Sequence, residues 1–185
     1  MISNFMKKYF ITQKMMRTVI ISLVPLIISS IYFFGWRSLV LLFWVTLFGV
    51  AMEWIYEKKQ GKKISEAIFV TCILYVLTLP PRTPIWIAVV GIIFGVFFGK
   101  EVFGGFGRNL FNPALVARAF VYVTFPEPLT IEWSKAATGF PGGFTTYITE
   151  NIDAITQATP MLIFRETGEM VSSLKLLLGN VSGSL

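Results

Sequence analysis

Histidine is missing altogether from the 185 residues. Its absence excludes Ser-His-Asp catalysis, His-ligated zinc, His-ligated haem and imidazole proton shuttling together. Any chemistry must then come from a bound cofactor. Cysteine is nearly missing too: Cys72 is the single one, and alone it can neither close an internal disulfide nor hold an iron–sulfur cluster. Lying in an apolar run, it is expected to be a small packing residue. Charge is scarce, at 14% of residues against 55% hydrophobic, and the mean hydropathy of +0.70 exceeds what a soluble core needs. The composition argues against a water-soluble fold. The net charge of +6 does not point to nucleic acid, because the Lys and Arg residues are spread among apolar segments instead of being gathered on one soluble face.

What is present is a series of apolar runs. Aromatic residues make up 16%, with 18 Phe against five Trp, which suits lipid-facing and interhelical surfaces. Crossing a hydrocarbon core takes about 20 helical residues. Four runs reach or approach that length, near Thr18 to Phe34, Leu39 to Tyr56, Ile64 to Leu79 and Ile85 to Phe98. The last two are short and flank Pro80-Pro81-Arg82-Thr83-Pro84, where prolines withhold the amides a continuing helix needs. They are expected to form a helical hairpin. A fifth, shorter segment runs from Pro113 to Phe125. Asn112 is its expected cap, with Pro113 at the first helical position, where the missing amide costs nothing. The fold class expected is all-α: a polytopic transmembrane helix bundle of about five spans, some short or broken, over residues 1–126, followed by an outer extramembrane loop region over 127–185.

The positive charges alternate along these spans. Lys7, Lys8, Lys14 and Arg17 precede or open the first helix, Arg37 follows it, Lys58, Lys59, Lys62 and Lys63 follow the second, Arg82 the third, and Lys100 with Arg108 the fourth. The positive-inside rule places the N-terminus, the second loop and the Lys100 to Arg108 loop in the cytoplasm, and Arg37 and Arg82 outside. The first run is read as a retained helix, not a cleaved signal, because no small-residue cleavage site follows it. The fifth segment then delivers Pro126 onward to the outer side. That stretch holds six of the ten acidic residues, with Lys135, Arg165 and Lys175 as its cations.

The densest motif runs from Gly99 to Pro126, GKEVFGGFGRNLFNPALVARAFVYVTFP. Gly104, Gly105 and Gly107 let the backbone turn tightly or approach a neighbour closely, and the helix opened by Asn112-Pro113-Ala114 presents unpaired amides that favour anions. A tight re-entry between two helices is the alternative. Arg118 lies inside an otherwise apolar helix, where a buried arginine costs roughly 2.5 to 3.5 kcal/mol on insertion scales. A partner is expected: Glu53, Glu66, Glu101, a backbone carbonyl, or a cofactor's phosphate or electron-rich edge. The alternative is a snorkelling arginine in a short tilted helix.

Several segments carry a family resemblance: Ser65-Glu66-Ala67, Leu77-Thr78-Leu79-Pro80-Pro81, Gly99-Lys100-Glu101-Val102-Phe103-Gly104-Gly105, and Asn112-Pro113-Ala114-Leu115 with Arg118-Ala119-Phe120. Through them the chain resembles the NqrB/RnfD family, membrane subunits of the sodium-pumping NADH:quinone oxidoreductase and of the Rnf ferredoxin:NAD oxidoreductase. The resemblance implies an FMN joined through its phosphate to a threonine in an outer loop of pattern Asp-x-x-(Ser/Thr)-Gly-Ala-Thr. Asp153, Thr156, Ala158 and Thr159 match that pattern, which puts the flavin on Thr159; Gln157 stands where glycine is commoner. Arg118, Gly104, Gly105 and Asn112 are the further candidates for cofactor contact, and a second, non-covalent flavin (riboflavin) is a further implication. The implied partners are the other membrane subunits of an Rnf- or Nqr-type complex, a flavin transferase and the bilayer of the inner (plasma) membrane, with no nucleic acid. Family members continue past a Gly-Ser like Gly183-Ser184 into more helices, so the expectation is an N-terminal fragment or split subunit, with Leu174 to Asn180 leading into a second half.

The leading expectation is thus an electron carrier in a redox-driven Na+ or H+ translocase, not catalytic alone. A transporter with a half-helix substrate site is the reading from another class, and a structural subunit without flavin is the third.

Overall fold

The computed structural model describes residues 10–11, 13–130, 134, 136–137 and 140–149. Its elements run β1 (Phe10–Ile11), α1 (Lys14–Phe34), α2 (Arg37–Lys59), β2 (Ile64–Ser65), α3 (Ala67–Leu77), α4 (Ile85–Gly99), α5 (Pro113–Thr124) and α6 (Pro126–Thr130), with 3₁₀ turns at Glu101–Phe103 and Gly142–Thr145. The expected all-α membrane bundle is what forms. Three helical segments, Lys14–Phe34, Arg37–Lys59 and Ile85–Phe103, are long and apolar enough to cross a membrane, whereas Ala67–Leu77 and Pro113–Thr124 are shorter. The eleven residues of α3 extend only about 16 Å, half of a hydrocarbon core of about 30 Å.

Each helix turns one face inward. On α2 the buried residues are Ser38, Leu41, Val45, Gly49, Glu53 and Glu57, a single ridge of three- and four-residue steps. Its opposite face carries exposed Phe43, Trp44, Leu47 and Phe48, as a lipid-facing surface should. The core gathers Leu41, Val45, Ile68, Cys72, Tyr75, Ile92, Val96, Ala117 and Val121. Cys72 is the buried packing residue expected.

The tightest contact joins α4 and α5. Gly91, Gly95 and Gly99 form the buried stripe of α4 against Pro113, Ala114, Ala117 and Val121 on α5, so the backbones approach where side chains are smallest. A Cβ added at Gly95 would stand 2.6 Å from the Pro113 carbonyl oxygen and 2.9 Å from the Ala117 Cα. Gly95→Leu should therefore force the helices apart and cost at least about 1–3 kcal/mol, read as a lowered thermal midpoint in detergent. Gly107→Ala is the comparison, since Gly107 has φ +84° but open space around it and loses only the left-handed backbone term, about 1–2 kcal/mol. A Gly95→Leu midpoint at or above that of Gly107→Ala would refute the close approach of α4 and α5, because the helix separation should cost more than the backbone term alone.

Two ends result. At one, Arg37 Nε donates to the Pro81 carbonyl at 2.9 Å, Arg82 Nη2 to the Thr149 carbonyl at 2.8 Å, and the Trp36 and Arg37 amides to the carbonyls of Thr146 and Tyr147. The segment 140–149 thus seals the α1–α2 turn. At the other end β1 pairs in parallel with β2, and Lys62 Nζ donates to the Gly104 carbonyl at 3.2 Å. The lysine-rich loops therefore share one end and Arg37 and Arg82 the other, the grouping that the alternating charges predict.

Candidate functional site

Residues 1–126 contain four acidic side chains, Glu53, Glu57, Glu66 and Glu101, and all four are buried. Glutamate is almost never fully buried unless paired. All four lie toward the lysine-rich end.

Glu66 is the peripheral one. Arg17 grips it in a fork, Nη2 to Oε1 at 2.7 Å and Nε to both oxygens at 3.1 Å, and the Gln13 amide donates to Oε2 at 2.9 Å. The hydrogen bonds from Arg17 hold the Glu66 carboxyl below its ordinary 4.5, outweighing burial, which pushes it up. A depressed carboxyl contributes stability that is present above the ordinary value and lost as the pH falls through the depressed one. The thermal midpoint of the wild type should exceed that of Glu66→Gln at pH 6–7, and the gap should narrow as the pH falls below the ordinary 4.5. A gap independent of pH would mean that the fork does not tie α1 to α3.

The other three converge. One carboxylate oxygen from each of Glu53, Glu57 and Glu101 lies within 4.8 Å of the others. Glu53 and Glu57, four residues apart, continue the buried ridge of α2, and Glu101 begins the 3₁₀ turn after α4. Glu53 Oε1 is 2.6 Å from Lys100 Nζ and accepts from the Ser65 amide at 2.8 Å and the Ser65 hydroxyl at 3.0 Å. Lys100 Nζ in turn donates to Ser65 Oγ at 2.8 Å. Glu53 Oε2, Glu57 Oε2 and both oxygens of Glu101 are buried without a hydrogen-bond partner among the described residues. Three carboxylates thus face one buried ammonium. Ionised, they hold more negative charge than a low-dielectric interior tolerates, so the cluster must take up protons or cations. Its oxygen-only donor set suits hard cations. Glu53 is six residues from the end of α2, about 9 Å along the axis, so the cluster is recessed from the helix end.

The glycine loop closes this site. Gly105, at φ +89°, leaves only 2.6 Å between a would-be Cβ and Glu57 Oε1, so a side chain there would collide with the carboxylate, and only glycine takes this backbone readily. Among the residues expected to touch a cofactor, Gly104 and Gly105 therefore stand beside the carboxylates. Asn112 caps α5, its Oδ1 accepting from the Ala114 amide at 3.0 Å. Arg118 is exposed on α5; of the carboxylates named as its partners, Arg17 holds Glu66, Lys100 holds Glu53, and Glu101 accepts no hydrogen bond from Arg118 or any other described residue. Asp153, Thr156, Ala158 and Thr159 lie outside the described residues. Sequence reasoning missed the cluster as a site. The available signal was a pair of glutamates at i and i+4 in a helix otherwise apolar, with a Lys-Glu pair at the foot of another.

A family model described as the NQR2, RnfD, RnfE family matches residues 2–185. The chain is similar to a subunit of the Na(+)-translocating NADH-quinone reductase of Klebsiella pneumoniae, 37% identical over 162 residues, covering 82% of this chain and 38% of that protein. It is also similar to a subunit of the ion-translocating oxidoreductase complex of Marinobacter nauticus, 30% identical over 164 residues, covering 81% of this chain and 47% of the relative. The chain thus spans less than half the length of these relatives. With the match running over nearly its whole length, the chain belongs to the NQR2, RnfD, RnfE family.

Proposed function

We propose that this chain is a membrane subunit of an ion-translocating electron-transport complex, and that Glu53, Glu57 and Glu101 bind the translocated cation, Na+ or H+, beside the Lys100 ammonium. The observation that carries this reading is the excess of buried carboxylate over buried cation, with four oxygens unpartnered among the described residues. Relatives named as sodium- and ion-translocating support it. Lys100 acts as a tethered counter-ion: it neutralises Glu53 and leaves Glu57 and Glu101 to an exchangeable cation. Electrons are carried by FMN on Thr159, in the outer loop, as the family resemblance implies; the flavin supplies the redox chemistry and the protein its placement.

The test is redox-driven cation uptake by vesicles containing the chain assembled with its partner subunits. Glu101→Gln, nearly isosteric and neutral, should lower uptake at least about tenfold, a loss of about 1.4 kcal/mol or more in cation binding, while flavin content stays unchanged. Wild-type uptake by an assembled Glu101→Gln complex would remove the cluster from the ion path.

A further inference from the structure

A cleft opens at the lysine-rich end, beside the glycine loop. It has a volume of about 440 Å³ and is lined by Lys62, Lys63 and Arg108, with Glu57 at one wall and Ile11 and Phe106 at the others. Three cations against one carboxylate make it a site for an anion. Lys62 is held in place, its Nζ donating to Gln60 Oε1 at 2.6 Å and to the Gly104 carbonyl at 3.2 Å. Arg108 lies across Gly104, whose would-be Cβ stands 3.3 Å from the arginine Cδ, and forms no ion pair among the described residues. The guanidinium therefore keeps a fork of donors free for a planar or tetrahedral oxyanion.

The surroundings of the cleft identify the source of the anion. The loop that bears Arg108 also exposes Val102, Phe106, Leu110 and Phe111. Bulky apolar side chains set among cations at the ends of membrane-crossing helices belong at the headgroup level, where acyl chains begin. Near the same end of α2, Lys58 Nζ sits 4.6 Å from the centre of the exposed Trp54 ring, the amphipathic pairing of an interfacial belt. Basic pockets at such positions take anionic lipid headgroups.

We infer that this cleft binds the phosphodiester of one anionic phospholipid, with Lys62, Lys63 and Arg108 on the phosphate and with Phe106 and Ile11 against the glycerol and upper acyl chain. The cleft shares Glu57 with the proposed cation site, but its test reads lipid retention and not cation uptake, so the two readings fail separately. The occupant is a lipid and not free phosphate, because the apolar wall would add nothing to the binding of an inorganic ion.

Native mass spectrometry of the full chain, released from micelles containing equal phosphatidylglycerol and phosphatidylcholine, tests this directly. Wild-type protein should retain one phosphatidylglycerol in preference to phosphatidylcholine. Lys62→Gln/Arg108→Gln should lower that retention at least about tenfold, Lys62→Arg/Arg108→Lys should keep most of it, and Lys14→Gln, removing a charge from α1 at the same end, should leave it unchanged. An equal fall in Lys14→Gln would show a diffuse surface effect and overturn the site. Displacement of the lipid by millimolar inorganic phosphate would assign the cleft to a soluble anion and overturn the lipid reading, as would equal retention of the two lipids by the wild type.

Discussion

Lys100→Met should be the most damaging single substitution in the bundle, lowering stability by about 3–5 kcal/mol, because it removes one partner of a buried ion pair and strands the other. Lys100 and Glu53 are 3% and 0% exposed, so no water replaces the lost ammonium. Ser65 continues to donate to Glu53, but two neutral donors do not neutralise a carboxylate that lies near two others. Adding Glu53→Gln to Lys100→Met should recover much of the loss, since the pair is then replaced by groups without charge. Denaturation in detergent, followed by tryptophan fluorescence or loss of the folded species on a gel, gives the comparison. A stabilising ion that occupies the cluster would also show itself: the wild type should gain stability in NaCl over choline chloride at equal ionic strength, and Glu101→Gln should lose that gain. A Lys100→Met protein as stable as the wild type would mean that the ammonium does not neutralise the cluster.

How legible this was from sequence differs between bundle and site. Helix positions follow from apolar run length and from proline placement, both local properties. Pro80, Pro81 and Pro84 mark the break between α3 and α4, which then pack on other helices more than on each other, and Asn112-Pro113 marks the start of α5 with the capping bond that the residue types predict. The two-ended distribution of cations is also local in origin, because each short loop carries its own charge. The carboxylate cluster is not local. Glu53 and Glu101 are 48 positions apart and meet only because the buried ridge of α2 packs against α4, with Gly49 seated by Ile92, and brings both helix feet together. Arg118 illustrates the same limit. An arginine in an apolar helix demands compensation by composition alone, but which carboxylate answers depends on packing, and Arg17 and Lys100 claim Glu66 and Glu53 instead. Glycine was ambiguous for a different reason. Gly105 is needed for its approach to Glu57, whereas Gly107 has nothing within 4 Å, and the sequence writes both in the same way.

Thr159→Ala should abolish covalent flavin altogether, the other large effect. Joining FMN to the chain requires a hydroxyl oxygen that attacks the phosphorus of an activated flavin phosphate, loses its proton and displaces the activating group. Thr159 offers such a hydroxyl directly before Pro160, and proline biases the preceding residue toward extended backbone, which presents the side chain to a modifying enzyme. Thr149, ten positions earlier, is fastened to Arg82 at the end opposite the carboxylates. Thr156 is the rival acceptor, three positions earlier; the family pattern, not the physics, favours Thr159. After co-expression with a flavin transferase, the wild-type band on a denaturing gel should fluoresce, Thr159→Ala should be dark, and Thr156→Ala should keep at least part of the signal. A fluorescent Thr159→Ala band, or a flavin located on Thr156 by tandem mass spectrometry, would refute the assignment. If the wild-type band is dark, Gln157→Gly decides the cause: restored fluorescence identifies Gln157 as a block to recognition by the transferase, and a band that stays dark removes the flavin from this loop.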